Sequence, residues 1–139
     1  MNASPPLIDS NIFVYVNDNA AGAKQAQAET AVRQWWGQGR ITQQVLGETY
    51  AALTRKKIVP ASLALEIILK MREGFLVLKY ETQDVLEGAR LHGEYGVPIW
   101  DGVLAATARR FGITRILTEN TKHFERVPDI QAENPLETV

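Results

Sequence analysis

The chain has no cysteine. That absence excludes a disulfide framework, a thiolate zinc site and a cysteine nucleophile, and it suits a reducing compartment. An excess of one charge is also missing, since 15 Lys and Arg against 16 Asp and Glu leave a formal net charge of −1. A module that coats DNA or RNA by neutralising phosphates is normally basic, so this balance argues against that class. It does not argue against an enzyme that engages a few nucleotides at a local site, where a bound metal ion would supply positive charge of its own. No apolar run approaches the roughly 20 residues of a membrane span. Met1-Asn2-Ala3-Ser4-Pro5-Pro6 has neither the basic start nor the apolar stretch of a signal peptide. The expectation is a soluble, cytoplasmic protein with no membrane association. There are only two histidines. Neither His92, in a helical stretch, nor His123, near the C-terminal turn, has an evident partner, so both are expected to be surface or packing residues. Paired-histidine ribonuclease chemistry is thereby disfavoured.

What is present is a chain of 139 residues, 45% hydrophobic and 22% charged, without repeats, low-complexity runs or an obvious linker. It is expected to form one domain, residues 1–139, with a real core. Leu7-Ile8-Asp9 reads as the end of a short buried strand, and Ser10-Asn11 opens a short helix through Ile12 to Val16. A helix is expected over Lys24 to Trp36, a short strand at Arg40 to Thr42, and a helix capped by Thr42 and running to about Lys57. Another helix follows Pro60, over Ala61 to Glu73. Phe75 to Tyr80 is the clearest strand. Helices over Glu81 to Tyr95 and Pro98 to Phe111 end at Gly96 and Gly112, and strands follow at Ile113 to Thr118 and Asp129 to Gln131. Short strands alternating with such helices specify a three-layer α/β/α fold with a central, mostly parallel sheet of four to five strands. Ligands in such folds bind beyond the carboxyl ends of the strands.

Acidic residues at those ends are the candidates. Asp9 follows the first strand; it either caps the next helix or, since Ser10 and Asn11 can also cap, is left to hold something else. Glu48 falls well away from the apolar stripe of Leu46, Thr49, Tyr50 and Leu53, which by helix geometry places it on a solvated face with Ala52 and Arg55. Asp101 heads a stripe made of Leu104, Ala105, Ala108 and Phe111, so it faces the protein. A carboxylate there is capping, paired or bound to metal, and periodicity leaves these open. Thr118-Glu119-Asn120-Thr121 leaves the Ile113 strand where either a polar turn or a further site group would sit. Trp35-Trp36 offers either a base-stacking face or core and interface packing.

The spacing of these segments resembles the PIN domain family, and within it the VapC-type toxins of toxin–antitoxin pairs. Four motifs carry the resemblance over nearly the whole chain: Leu7-Ile8-Asp9-Ser10-Asn11-Ile12-Phe13-Val14-Tyr15; Val45-Leu46-Gly47-Glu48-Thr49-Tyr50 with Leu53-Thr54-Arg55-Lys56; Trp100-Asp101-Gly102-Val103-Leu104-Ala105-Ala106; and Ile116-Leu117-Thr118-Glu119-Asn120-Thr121-Lys122-His123-Phe124. Asn134-Pro135 resembles the family's tail. The departure is Asn120, where many members carry an aspartate; an amide brings no charge, which bears on a second metal more than on the first.

The resemblance implies an endoribonuclease for single-stranded RNA, with Mg²⁺ or Mn²⁺ held by Asp9, Glu48 and Asp101. Asn11, Thr118, Glu119 and Asn120 are implied in support, and Arg55, Lys56 and Lys122 are either phosphate contacts or simply solvated charges. Hard divalent ions take oxygen ligands, and clustered carboxylates repel one another without a cation. The implied partners are a second copy of the chain and a small VapB-like antitoxin that crowds the acidic site, for which arginine is a suitable residue. Two other readings stand beside this one. A catalytically weakened PIN-fold binding module would follow from Asn120. A haloacid dehalogenase-like phosphohydrolase would also place an aspartate after the first strand, but it expects a second acid where this chain has Asn11.

Overall fold

In the computed structural model, which describes residues 4–137, the alternating pattern becomes a five-stranded sheet covered by helices. The order is β1 (Leu7–Ile8), α1 (Ser10–Val16), α2 (Ala23–Trp35), β2 (Arg40–Thr42), α3 (Gln43–Arg55), α4 (Ala61–Gly74), β3 (Leu76–Leu78), α5 (Thr82–Tyr95), α6 (Ile99–Arg110), β4 (Arg115–Leu117), a 3-10 turn (Thr121–Phe124) and β5 (Gln131–Glu133). Met1 to Ala3, part of the segment compared above with a signal peptide, lie outside the described residues, as do Thr138 and Val139. Among the described residues no helix is long and apolar enough to cross a membrane.

The strand order is β3-β2-β1-β4-β5, and every pairing is parallel. The chain steps outward from β1 to β3, then returns to the far side of β1 to lay down β4 and β5. Right-handed crossovers therefore put α1 to α4 on one face and α5 and α6 on the other, which makes three layers. The reversal falls between β1 and β4. Loops leaving those two strands part in opposite directions, so a crevice opens at their carboxyl ends. Leu7 and Ile8 of β1, Ile41 of β2 and Ile116 of β4 are fully buried, which is why these strands are apolar on both faces.

Local signals account for the boundaries. The Thr42 hydroxyl accepts the Val45 amide at 3.2 Å and starts α3. Gly96, at φ +75°, ends α5. Helices α5 and α6 cross so closely that a Cβ on Gly102 would lie 2.7 Å from the Gly88 carbonyl oxygen. That contact fixes the start of α6, and Asp101 with it.

Three details differ from expectation. The last strand begins at Gln131 and not at Asp129, because Asp129 adopts φ +65° and turns the chain before it can pair. Phe111, placed on the apolar stripe of its helix, is 45% exposed at the helix end. Asp84, read only as part of a helix, is 2% exposed. It accepts from Arg110 at 2.8 Å and from the Glu81 backbone amide at 2.8 Å.

Candidate active site

The first motif puts Asp9 directly after β1, at the switch point. Its amide donates to the Leu117 carbonyl at 2.9 Å, which continues the β1–β4 pairing one residue past the strand. The carboxylate is 4% exposed. One oxygen accepts the Ser10 amide at 2.8 Å, so Asp9 does cap α1. The other accepts the Thr118 hydroxyl at 2.8 Å. Capping and site placement are thus both true of Asp9, because its two oxygens face different partners.

Thr118 and Asn11 knit the ends of β1 and β4 together. Asn11 donates to the Thr118 oxygen at 3.2 Å and weakly to Asp9 at 3.4 Å, while its carbonyl accepts the Glu119 amide at 3.1 Å. The Thr118 oxygen also accepts the Asn120 amide at 3.0 Å. An amide at position 11 can donate to Thr118 and Asp9 while accepting from Glu119; an ionised second aspartate, as a haloacid dehalogenase would carry, could only accept.

Glu48 and Asp101 complete the wall. With Asp9, Asn11, Asn120 and Lys56 they line a cleft of about 370 Å³. The solvated face expected for Glu48 is corrected here: it is half-buried and turned into the cleft. The buried face of α3 runs through Val45, Thr49 and Leu53. Taking Val45, Thr49 and Leu53 as the face, without Leu46 and Tyr50, shifts its centre about 50° toward Glu48 from the stripe read in the sequence. Asp101 faces inward as its stripe implied, and its Oδ2 lies 2.5 Å from Nδ1 of His123. His123 is exposed, as expected of a surface residue, but it has a specific partner, which the sequence did not show. His92 contacts only the Val97 carbonyl, at 2.8 Å.

All three carboxylates are held above the ordinary carboxylate range. Burial lifts Asp9 most, and the charge of Asp101 adds to it against the hydrogen bonds from Thr118 and Ser10. Burial lifts Glu48 to about 7, helped by the charges of Asp9 and Asp101. Burial also lifts Asp101, against the pull of His123. The cleft thus brings three carboxylates together, with Lys56 on its wall and His123 against Asp101.

The supporting acid behaves differently. Burial alone would raise Glu119, but Lys24 at 2.7 Å and the Tyr15 hydroxyl at 2.7 Å bring it below its usual range. Glu119 is committed to those two groups at the cleft rim. The neighbouring Asn120 lines the cleft as an uncharged donor and acceptor. Of the basic residues singled out earlier, Arg55 and Lys122 are exposed and do not line the cleft, whereas Lys56 does. Lys24 was missed, since nothing in its helix marks a partner 95 residues away. Trp35, the last residue of α2, is buried at 8% exposed, and Trp36, just after it, packs edge-on against Phe75; neither lines the cleft of the carboxylates.

The donor set fits a hard divalent ion in kind: carboxylate oxygens around one wet cleft, each destabilised as an anion. Among the described residues, no three acidic or histidine side chains are gathered tightly enough to enclose an ion as its direct ligands. Mg²⁺ does not require that, because it keeps several waters and is commonly held through one or two carboxylates. A larger hollow of about 470 Å³ beside the start of β4 is lined by Asp84, Glu87, Arg109 and Arg110. There Arg109 pairs with Glu87 and Arg110 with Asp84, so four of its charges are matched.

Residues 7–130 match the PIN domain family. The chain belongs to that family. No curated protein sequence matches it. Among solved structures, this PIN domain is similar to the DNA-bound VapBC of Salmonella typhimurium, with 20% identity, 96% of this chain and 99% of that chain covered, and a TM-score of 0.72. It is also similar to VapC20 of Mycobacterium tuberculosis, a toxin that cleaves the sarcin–ricin loop, with 15% identity, 84% and 91% covered, and a TM-score of 0.71. VapBC-1 of nontypeable Haemophilus influenzae gives 24% identity, 94% and 98% covered, and a TM-score of 0.62. At these identities the likeness establishes the fold of the PIN domain.

Proposed function

We propose that the protein is a Mg²⁺- or Mn²⁺-dependent endoribonuclease for single-stranded RNA and the toxin of a VapBC-type pair. The observation that carries this reading is the meeting of Asp9, Glu48 and Asp101, from three separate elements, at one cleft on the switch point of a PIN fold. The VapBC and VapC structures it resembles support the toxin assignment. The whole chain acts as one domain, in the cytoplasm where RNA is the accessible substrate.

In this reading Asp9, Glu48 and Asp101 hold the ion. When bound, it supplies a Lewis acid that activates water for attack on phosphorus and stabilises charge on the departing oxygen. The chain's own contribution is positioning. Ser10 and Thr118 fix both oxygens of Asp9, so its carboxylate is oriented before substrate arrives. His123 does the same for Asp101. Lys56, on the cleft wall, faces the incoming phosphate. Asn120 adds no charge, which favours one ion over two.

The resting protein pairs with a second copy and with a small antitoxin. An arginine presented by that antitoxin would offset the clustered carboxylates of the cleft through a bidentate contact.

The test is cleavage of a panel of structured and unstructured RNAs by the purified protein, with and without chelator. Cleavage that requires the metal and is lost in Asp9→Asn and Asp101→Asn, with folding unchanged, supports the assignment. Failure to cut any RNA in Mg²⁺ or Mn²⁺ would favour a binding module, and phosphate trapped on Asp9 from a small phosphomonoester would revive the phosphohydrolase.

A further inference from the structure

Trp100 precedes Asp101 in the first turn of α6 and is 48% exposed. Its backbone is anchored, since the Trp100 carbonyl accepts the Gln44 side-chain amide at 2.9 Å. Gln44 lies one turn before Glu48 in α3, so this bond ties the two helices that carry Glu48 and Asp101. Tyr80 braces the indole edge-to-face, with centroids 6.3 Å apart at 78°. Tyr80 follows β3, at the same carboxyl edge of the sheet that presents Asp9 and Thr118. The hollow beside Tyr80 is lined by Gln43, Glu81, Thr82 and Gln83.

These features suit a nucleobase. Single-stranded RNA is gripped by aromatic faces on which unstacked bases lie, with polar side chains to meet their edges. A chain with a formal net charge of −1 draws little affinity from general phosphate attraction, so stacking has to contribute. Four of the six residues that line the hollow beside Tyr80 are polar or charged, so donors and acceptors are present there for a base edge.

We propose that Trp100, braced by Tyr80, is a stacking platform for a base of the RNA whose phosphate is held at Asp9, Glu48 and Asp101. The proposal rests on the ribonuclease reading and adds its substrate subsite.

The test is binding of a labelled eight-nucleotide single-stranded RNA in Mg²⁺, with Glu48→Gln as a background that does not cut. Trp100→Ala is expected to weaken binding about 5- to 150-fold, and Trp100→Phe to restore most of it. An abasic nucleotide at one position of the RNA should cost the same factor and cost nothing further in Trp100→Ala. A residue that only supports the fold would show no such position-specific coupling. If the background protein binds RNA and Trp100→Ala binds equally well, the platform is wrong while the ribonuclease reading stands. If Trp100→Ala splits a dimer with unchanged RNA affinity, the indole belongs to a protein interface and the proposal fails. If neither the background protein nor the wild type, assayed with Ca²⁺ in place of Mg²⁺, binds RNA, both fall together.

Discussion

Replacing Glu48 with glutamine should make the metal-free protein more stable at pH 8, although it changes a proposed metal ligand. Burial and the charges of Asp9 and Asp101 lift Glu48 from 4.5 to about 7. The folded state therefore keeps a proton that the unfolded chain gives up between those values. Stability contributed by that proton is present at low pH and is lost as pH rises from 4.5 through about 7. For a fully shielded carboxylate this would amount to about 3 kcal/mol; solvent screening of a half-buried group reduces it to about 1–2 kcal/mol. Glu48→Gln keeps the shape and removes the charge, so in chelator at pH 8 its melting temperature should rise by roughly 3–8 °C, with little difference at pH 4. The assay is thermal unfolding across that pH range with and without Mg²⁺. Added Mg²⁺ should stabilise wild type more than the variant and narrow or reverse the gap. A variant no more stable than wild type at pH 8 without metal, or equally stabilised at both pH values, would refute the picture of mutually repelling carboxylates.

Other consequences follow from separate parts of the fold. Gly102→Ala should cost about 3 kcal/mol or more in chemical denaturation, because its new Cβ would lie 2.7 Å from the Gly88 carbonyl oxygen and helix backbone cannot yield cheaply. Asp84→Ala should cost about 3 kcal/mol, read by the same method, since it strands Arg110 and the Glu81 amide. Arg110 and that amide hold Asp84 low despite its burial, so this contribution should persist down to the ordinary aspartate range and fade only as pH falls below it. Lys24→Met should weaken RNA binding similarly for all sequences and lower the slope of log affinity against log salt by about one, because Lys24 stands at the cleft rim on Glu119. Asn120→Asp should tighten Mn²⁺ binding in calorimetry, since it adds a charged oxygen to the cleft wall.

The layer order was legible because β1, β2 and β4 are buried on both faces and read as apolar runs between helices. Asp101 was legible for a related reason: its stripe of Leu104, Ala105 and Ala108 is buried, so the carboxylate at its head had to face inward. Glu48 was not, because its exposure depends on whether Val45 belongs to the packed face, and only the packing of α3 decides that. His123 and Lys24 were illegible for a deeper reason. Their partners Asp101 and Glu119 lie 22 and 95 residues away, and no local periodicity encodes which loop ends meet at a sheet's switch point. Trp100 was named at the head of the third motif but given no role, since a single aromatic next to an acid has no pattern until Tyr80 is brought against it.

The most direct measurement is an anomalous difference map from crystals of the protein grown with Mn²⁺. The account expects a strong peak in the cleft within bonding distance of carboxylate oxygens from Asp9 and Asp101, with Glu48 bound directly or through water. A cleft without a peak at saturating Mn²⁺, or an ion bound elsewhere while these three carboxylates remain unengaged, would contradict it.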